Sequence, residues 1–354
     1  MTYTFGIIGG GWRSEFFLKV AQEAPDHFHV PFVLERTDAR GAYLAKRYGV
    51  RIIKKMEDID SKPDFLVLSL SGSVMPDFME QAVNAGHYVL SEIFPAAGIP
   101  AITELYKRIK DKSRVQFAEE YWQRPLHAAQ LAVIRSGVLG TVSQAQVSIG
   151  HGYHGISLIR RFLGLTFENC RITGKVFRNP IVRGPGRKGY PENREIIQDD
   201  QQFVLFEFDN KWGLLDFTGE QYFSPIRGSR VLIRGEQGEI ANSDVRYFID
   251  HKTPMEYVLH RRASGVEGGL NAPHVIGYTG GGRWYYRNPY EGARLNDDEL
   301  AVAGILDGMG AYVQGGDPIY SLEEGLQDQY LQALANQASG SGQVQESTTQ
   351  IWAK

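Results

Sequence analysis

Two groups of residues in this chain of 354 residues have the types and spacing to do chemistry. The first is Gly9-Gly10-Gly11-Trp12-Arg13-Ser14, which follows the apolar run Phe5-Gly6-Ile7-Ile8 and leads into a helical pattern. A strand that turns on glycine into a helix is what a dinucleotide pyrophosphate requires. Gly9 allows the tight turn, Gly11 lets the backbone approach the phosphates, and small Ser14 lets the helix pack closely on the sheet. The amides of the first helical turn then face the phosphates. Glu35 lies roughly 20 residues beyond the motif. There its carboxylate either accepts hydrogen bonds from an adenosine ribose or is a solvated residue at a strand end. The second group is His151-Gly152-Tyr153-His154. His154 opens a helix whose apolar face includes Leu158, Phe162 and Leu163, and a neutral imidazole accepts a proton from a carbinol because its reference pKa is near the working pH. His151 and Tyr153 beside it are either substrate-side groups or packing residues of a strand-to-helix corner.

Other constellations are weaker. Glu119 and Glu120 are paired carboxylates, but adjacent residues of a strand or loop point apart, which disfavours two-carboxylate glycoside hydrolysis. His151 and His154 are three apart with no second pair at ligand spacing, so no metal site is expected. Arg183, Arg187, Lys188 and Arg194 sit in a loop rich in Gly and Pro that either meets an anion or is simply solvated. Residues 278–290, with three consecutive glycines, Trp284, Tyr285 and Tyr286, supply either flat surfaces for a sugar or a subunit contact.

The elements that must position these residues follow from periodicity. Phe17, Val20, Ala21 and Ala24 give the helix after the glycine turn one buried stripe, and Pro25 with Asp26 end it. Residues 29–34 form the next strand, delivering Glu35. A helix at 39–48 closes on Gly49, strands follow at 51–54 and 65–70, and a helix at 76–85 ends at Gly86 before a strand at 87–92. This alternation predicts a parallel sheet covered on both faces, with the ligand beyond the carboxyl ends of its strands. From about Gln123 the pattern changes to a helix at 128–136 and then strands at 142–149, 202–208, 213–217 and 230–233, with Asp209-Asn210 as a hairpin turn. The fold class is therefore α/β, an N-terminal doubly wound Rossmann domain at 1–122 followed at 123–338 by an α+β domain on a mostly antiparallel sheet. A last helix at 323–338 precedes a polar tail at 339–354.

Composition agrees with a globular protein: 42% hydrophobic and 22% charged residues, with a formal net charge of −3, argue against disorder and against nucleic acid or anionic membrane as partners. No stretch approaches the ~20 apolar residues that span a bilayer, and the chain opens at once into a strand, so a cytoplasmic address is expected. The single Cys170 rules out an internal disulfide and reads as a small buried apolar residue.

Residues 9–14, the strand at 64–70, residues 87–95 and the turn at 137–140 together resemble the glucose-fructose oxidoreductase, inositol dehydrogenase and MocA family, Gfo/Idh/MocA. The likeness covers nearly the whole chain and is most specific in its first third. It implies hydride transfer between NAD, or NADP, and a sugar or cyclitol. On this resemblance the cofactor meets Gly9, Gly11, Trp12, Arg13, Glu35, Arg36, Ser69, Leu70, Glu92 and Glu120. His151, Tyr153 and Arg124 face the substrate, and His154 and Tyr121 carry catalysis. NAD is expected over NADP because Glu35 would face a 2′-phosphate, with Arg36 and Arg40 opposing that repulsion. The antiparallel sheet either closes over the nucleotide domain or makes a flat surface for a homodimer or homotetramer, the partner expected here.

The chain departs from the family at two signatures. Glu-Lys-Pro becomes Glu92-Ile93-Phe94-Pro95, so the ammonium that assists proton movement is missing, and Pro95 reads as the displaced proline. The aspartate four residues before the histidine becomes Gly150. Tyr121 could replace the lysine only if nearby cations lowered its pKa; otherwise it is structural. Three readings follow: an NAD(P)-dependent oxidoreductase acting on a carbohydrate or cyclitol hydroxyl or ketone, an NAD-dependent enzyme that cleaves or epimerises glycosides with no net redox change, and an inactive ligand-binding member.

Overall fold

The computed structural model describes residues 2–94, 98–264 and 274–353; Pro95 lies outside them. The chain forms two compact units. One comprises Met1–Pro125, Arg262–Gly277 and Arg287–Leu326, the other Leu126–Arg261, Tyr278–Tyr286 and Gln327–Lys354.

The first unit is built on a parallel sheet of β1 (Tyr3–Ile8), β2 (Phe28–His29), β3 (Phe32–Leu34), β4 (Arg51–Ile53), β5 (Phe65–Leu68), β6 (Val89–Ser91) and β7 (Val115–Phe117). Their order is β4-β3-β1-β5-β6-β7, with β2 also on β1. The run at 29–34, which periodicity predicts as one strand, is two: β2 pairs with Tyr3 and Thr4, and β3 with Ile7 and Ile8. Pro31 between them has no N–H to give a ladder. Every residue of β3 and β5 is buried, as expected for a sheet covered on both faces. The helices are α1 (Ser14–Glu23), α2 (Asp38–Tyr48), α3 (Met75–Asn84) and α4 (Ile99–Arg108). α1 buries Phe17, Leu18 and Val20, and Ala21 packs partly buried against the same core, so Leu18 joins the predicted stripe. The strand order reverses between β1 and β5, and the crevice outside their carboxyl ends is where such a sheet binds its ligand.

The second unit opens with α5 (Pro125–Arg135), β8 (Val142–Ser148) and α6 (Gly152–Leu163). Long strands β9 (Arg171–Val182), β10 (Ile196–Glu207) and β11 (Trp212–Thr218) follow, then β12 (Arg230–Gly235), β13 (Gly238–Ala241), β14 (Asp244–Phe248) and β15 (Pro254–Val258). β8 and β11 run parallel while the other pairings are antiparallel. The hairpin at Asp209-Asn210 pairs Glu207 with Trp212. α6 lies close on β11 because both surfaces carry glycine: a Cβ at Gly155 would stand 2.3 Å from Leu215 Cδ1, and one at Gly213 2.3 Å from Ile159 Cγ2. β16 (His260–Ser264), β17 (His274–Gly280) and β18 (Arg283–Arg287) make a small third sheet.

Two late elements escape periodicity. α7 (Asp297–Val313) belongs to the first unit and is buried on most sides, from Leu300 to Met309, so it shows no single apolar face. Asn296 and Glu299 cap it reciprocally. α8 (Leu322–Ser341) is followed by β19 (Gln345–Glu346), which pairs with β9. The polar tail is thus integrated into the second unit. Trp352 anchors it, being 1% exposed, with its indole N–H donating to Gln327 Oε1 at 2.9 Å. Cys170 is buried, its backbone bonded to Ser347 of the same tail, and burial pushes its thiol up to about 12. Replacing Trp352 by Ala should cost about 3–5 kcal/mol through the cavity and the lost hydrogen bond. Denaturant unfolding measures it, and a loss below about 1 kcal/mol would show that the tail is not an anchor.

Candidate active site

The chain leaves β1 through Gly9 at φ 102°, a left-handed conformation that favours glycine. A Cβ there would stand 2.3 Å from Ser69 O, and one at Gly10 would stand 2.5 Å from Glu35 Oε2. At Gly11 an added Cβ meets nothing within 4 Å. The first two glycines are therefore required by the protein itself, and the third keeps a surface open. Ser14, fully buried, donates its hydroxyl to Gly9 O at 2.5 Å and ties the helix to the turn.

Glu35 stands just past β3. Its carboxylate accepts the Gly10 N–H at 3.1 Å and the Thr37 N–H at 2.7 Å, so it is fixed beside the turn rather than loose at a strand end. Arg40 donates to Gly10 O at 2.6 Å and Gly11 O at 3.1 Å while pairing with Glu15 at 2.6 Å. Arg40 thus braces the turn from behind. Gly9, Gly11, Glu35, Arg36, Ser69 and Leu70 all line one cleft of about 240 Å³, together with Gly10, Thr37 and Phe78. Trp12 is half exposed, its ring edge-on to Phe16 at 5.0 Å.

Arg13, Glu92 and Glu120 bind one another. The guanidinium reaches Glu92 Oε1 and Glu120 Oε1, each at 2.7 Å, from a side chain 20% exposed. Burial opposes its charge, but Glu120 and Glu92 outweigh that and raise its pKa above the ordinary arginine value. The three residues come from the turn after β1 and the chain just past β6 and β7, the carboxyl ends of the sheet. Arg124 stacks its guanidinium 3.8 Å from the centre of the buried Tyr121 ring and pairs with Asp298 at 2.9 Å. Burial raises the Asp298 pKa, with Arg124 opposing. A cation thus stands over the Tyr121 ring, and the same stacking also serves packing.

In the second unit, His151 lies between β8 and α6 at φ −71° and ψ 149°. Gly152 then adopts φ 43°, where a Cβ would stand 2.3 Å from Gln332 Nε2. Gln332 Oε1 accepts the Tyr153 N–H at 3.3 Å. The His151 and His154 rings meet edge to face at 5.0 Å, and Tyr153 lies 5.1 and 4.5 Å from them. Phe217 and Tyr222 complete the cluster. The Tyr222 hydroxyl accepts the His151 backbone N–H at 3.2 Å and is hydrogen-bonded to its ring Nδ1. Burial, and secondarily His154, push the His151 pKa down to about 4.

Sequence reasoning missed Gly10, Thr37, Phe78 and Tyr222. A run of three glycines was the signal for Gly10. Tyr222 is 71 residues from His151 and has no local signal. The aromatic segment at 278–290 is engaged internally: Tyr285 stacks on Tyr257 at 5.8 Å with hydroxyls 2.5 Å apart, and Gly280 and Gly281 lie against the Tyr257 ring. Arg183 pairs with Glu195 at 2.9 Å. Among the described residues no group of three or more His, Cys, Asp or Glu could hold a metal ion, and no helix is long and apolar enough to cross a membrane.

A parallel sheet with reversed strand order, a glycine turn at the reversal and an acidic residue fixed beside it define a dinucleotide-binding protein. Residues 3–120 match the family model of the Gfo/Idh/MocA oxidoreductase family, NAD-binding Rossmann fold. Over the whole chain the fold is similar to solved structures. Levoglucosan dehydrogenase in complex with NADH and levoglucosan shares 15% identity and a TM-score of 0.70, covering 98% of this chain and 99% of that one. An oxidoreductase from Agrobacterium radiobacter in complex with NAD+, L-tartaric acid and magnesium shares 14% identity and a TM-score of 0.67, covering 98% of each chain. A myo-inositol dehydrogenase from Corynebacterium glutamicum shares 14% identity and a TM-score of 0.65, covering 98% and 99%. No curated protein matches the chain in sequence.

The depressed His151 pKa has a thermodynamic consequence. The unfolded chain binds the proton near the reference value of about 6.5 while the folded chain resists until about 4. Stability from this residue is therefore complete above the unfolded value and is lost as pH falls toward the folded one. The loss should amount to about 3 kcal/mol by pH ~4. His151→Gln should flatten that part of the stability-versus-pH curve, whereas parallel curves for the two proteins would mean that His151 is not held neutral.

Proposed function

We propose that the protein is an NAD-dependent dehydrogenase of a sugar or cyclitol, oxidising a hydroxyl or reducing the corresponding ketone. The observation that carries this reading is the cleft at the glycine turn, open above Gly11 and flanked by the fixed Glu35 carboxylate. Its residues fit the cofactor: the turn at Gly9 and Gly11 with the first amides of α1 would hold the pyrophosphate, and Glu35 would hold a ribose. Arg36, Ser69 and Leu70 would form the walls. Trp12 and the Arg13, Glu92 and Glu120 cluster would border the nicotinamide half, since the adenosine half lies on the Glu35 side of the strand reversal. NAD supplies a hydride acceptor when bound, which no side chain offers.

The chain's own work is to orient the substrate and move a proton. Ile93 has no proton to give, so His154 takes the hydroxyl proton, with Tyr121 as the second candidate and His151, Tyr153 and Arg124 on the substrate side. The similar folds of levoglucosan and myo-inositol dehydrogenases support a polyhydroxylated substrate. Exposed Val176, Phe177 and Ile196 on β9 and β10 suit the sheet to homodimer or homotetramer assembly.

General acid-base assistance is worth about 10²- to 10⁴-fold. His154→Ala should therefore lower kcat by roughly that factor against the responsive member of a polyol panel, with NAD affinity within a few fold of wild type. Full activity would make the histidine structural. Gly11→Val should abolish NAD binding in a folded protein, because the branched side chain fills the open face; unchanged affinity would remove the cofactor from this cleft. Calorimetry should show NAD bound more tightly than NADP, since a 2′-phosphate would meet Glu35. Tighter NADP would show that Arg36 governs the pocket.

A further inference from the structure

We infer that the Arg13, Glu92 and Glu120 cluster sets which redox form of the cofactor the protein holds, favouring the oxidised one. The inference rests on the dehydrogenase reading, which puts the nicotinamide half beside these groups, and it adds a direction to that reading. Its basis is a count of fixed charges. One guanidinium lies between two carboxylates, 2.7 Å from each, with the three side chains 20%, 16% and 7% exposed. Arg13 keeps its charge at any working pH. A second pair, Arg124 with Asp298, is coupled to the first, since Glu120 and Arg13 both act on the Asp298 carboxyl. As an ion pair it brings no excess of either sign. Glu119, fully buried beside Glu120, accepts the Tyr121 N–H and supplies no cation. The cluster therefore carries a net negative charge.

The two forms of a nicotinamide cofactor differ in charge only at the ring, which is a cation when oxidised and neutral when reduced. Pyrophosphate, riboses and adenine contribute alike to both affinities. The ratio of the two dissociation constants therefore reads the electrical potential at the ring, and charges buried this far are screened much less than those in open water. Protein charge beside the ring is one of the means by which a site tunes its cofactor. A negative potential there strengthens the oxidised form alone. At an effective permittivity of about 20, one net charge about 10 Å away is worth roughly tenfold in affinity. The site is then loaded by NAD+ and releases NADH more readily, because affinity differences of this kind lie mostly in the dissociation rate. Oxidation of the hydroxyl is the direction this serves.

Calorimetric titration of the full-length protein with NAD+ and with NADH at about pH 8, well above the carboxylate range, tests this without substrate. The wild type should bind NAD+ roughly tenfold more tightly than NADH. Glu120→Gln and Glu92→Gln each remove one negative charge and should each bring the two affinities together. Arg13→Gln removes the positive charge and should widen the gap by a similar factor, while Arg13→Lys keeps the charge and the wild-type ratio. A purely structural role does not give opposite shifts from partners in one ion pair, because loss of the brace weakens both forms alike. Circular dichroism shows which variants fold, and the two glutamate variants decide the matter if Arg13→Gln does not. Equal affinities in the wild type, or a ratio unmoved by Glu120→Gln and Glu92→Gln in folded protein, would overturn the inference and leave the dehydrogenase reading standing. Binding of neither form overturns that reading instead.

Discussion

The constraint on which the nucleotide unit depends is the closure of the turn after β1 with no side chain in it. Gly9 can lie against Ser69 O, and Gly10 against the Glu35 carboxylate, because neither has a Cβ. Backbone and side-chain bonds then lock the turn from several directions. The Gly9 N–H donates to Leu34 O, the Gly10 N–H to Glu35, and the turn carbonyls accept from Arg40 and Ser14. Strands β1, β3 and β5 and helices α1 and α2 meet at these few atoms. Loss of any one partner strands a polar group near the sheet, which costs more than the bond itself contributes. The same bonds hold the ligand-facing surface at Gly11 in place before any ligand arrives, and preorganisation of that kind is what favours tight binding.

The second unit solves a different problem by the same device. Its cluster of imidazole and phenol rings stands at the start of α6, and the helix can seat on β11 only because Gly155 and Gly213 leave room for Leu215 and Ile159. The other end is held by Arg160, whose guanidinium pairs with Asp328 at 2.5 Å with both side chains almost fully buried. A buried pair contributes little net stability against an apolar substitute, but removing one partner costs several kcal/mol. It fixes the helix in register, and with it the histidines.

What could be read from the chain was whatever local pattern encodes. The glycine turn, α1, Glu35 at its offset and the buried run of β5 announce themselves through short-range sterics and periodicity, and residues 3–120 match a family model of an NAD-binding Rossmann fold. Less legible were features set by long-range packing. Pro31 splits a strand because of a missing N–H. α7 hides because it is apolar on most sides, and a polar tail becomes structure because one tryptophan, Trp352, finds Gln327. At the candidate site, His151, Tyr153 and His154 are adjacent in the chain and were visible together. Tyr222 was not, because the fold alone brings it to His151. Arg13, Glu92 and Glu120 were each legible as residues at strand ends, but their mutual ion pairing is a tertiary fact.

The central claim is that the cleft beside Gly11 and Glu35 binds NAD. A crystal structure of the protein grown with NAD tests it most directly. The pyrophosphate should lie over the open face of Gly11 against the first amides of α1, with a ribose hydroxyl bonded to Glu35 and no movement of the turn. Cofactor density elsewhere, or a crystal saturated with NAD whose cleft stays empty, would contradict it.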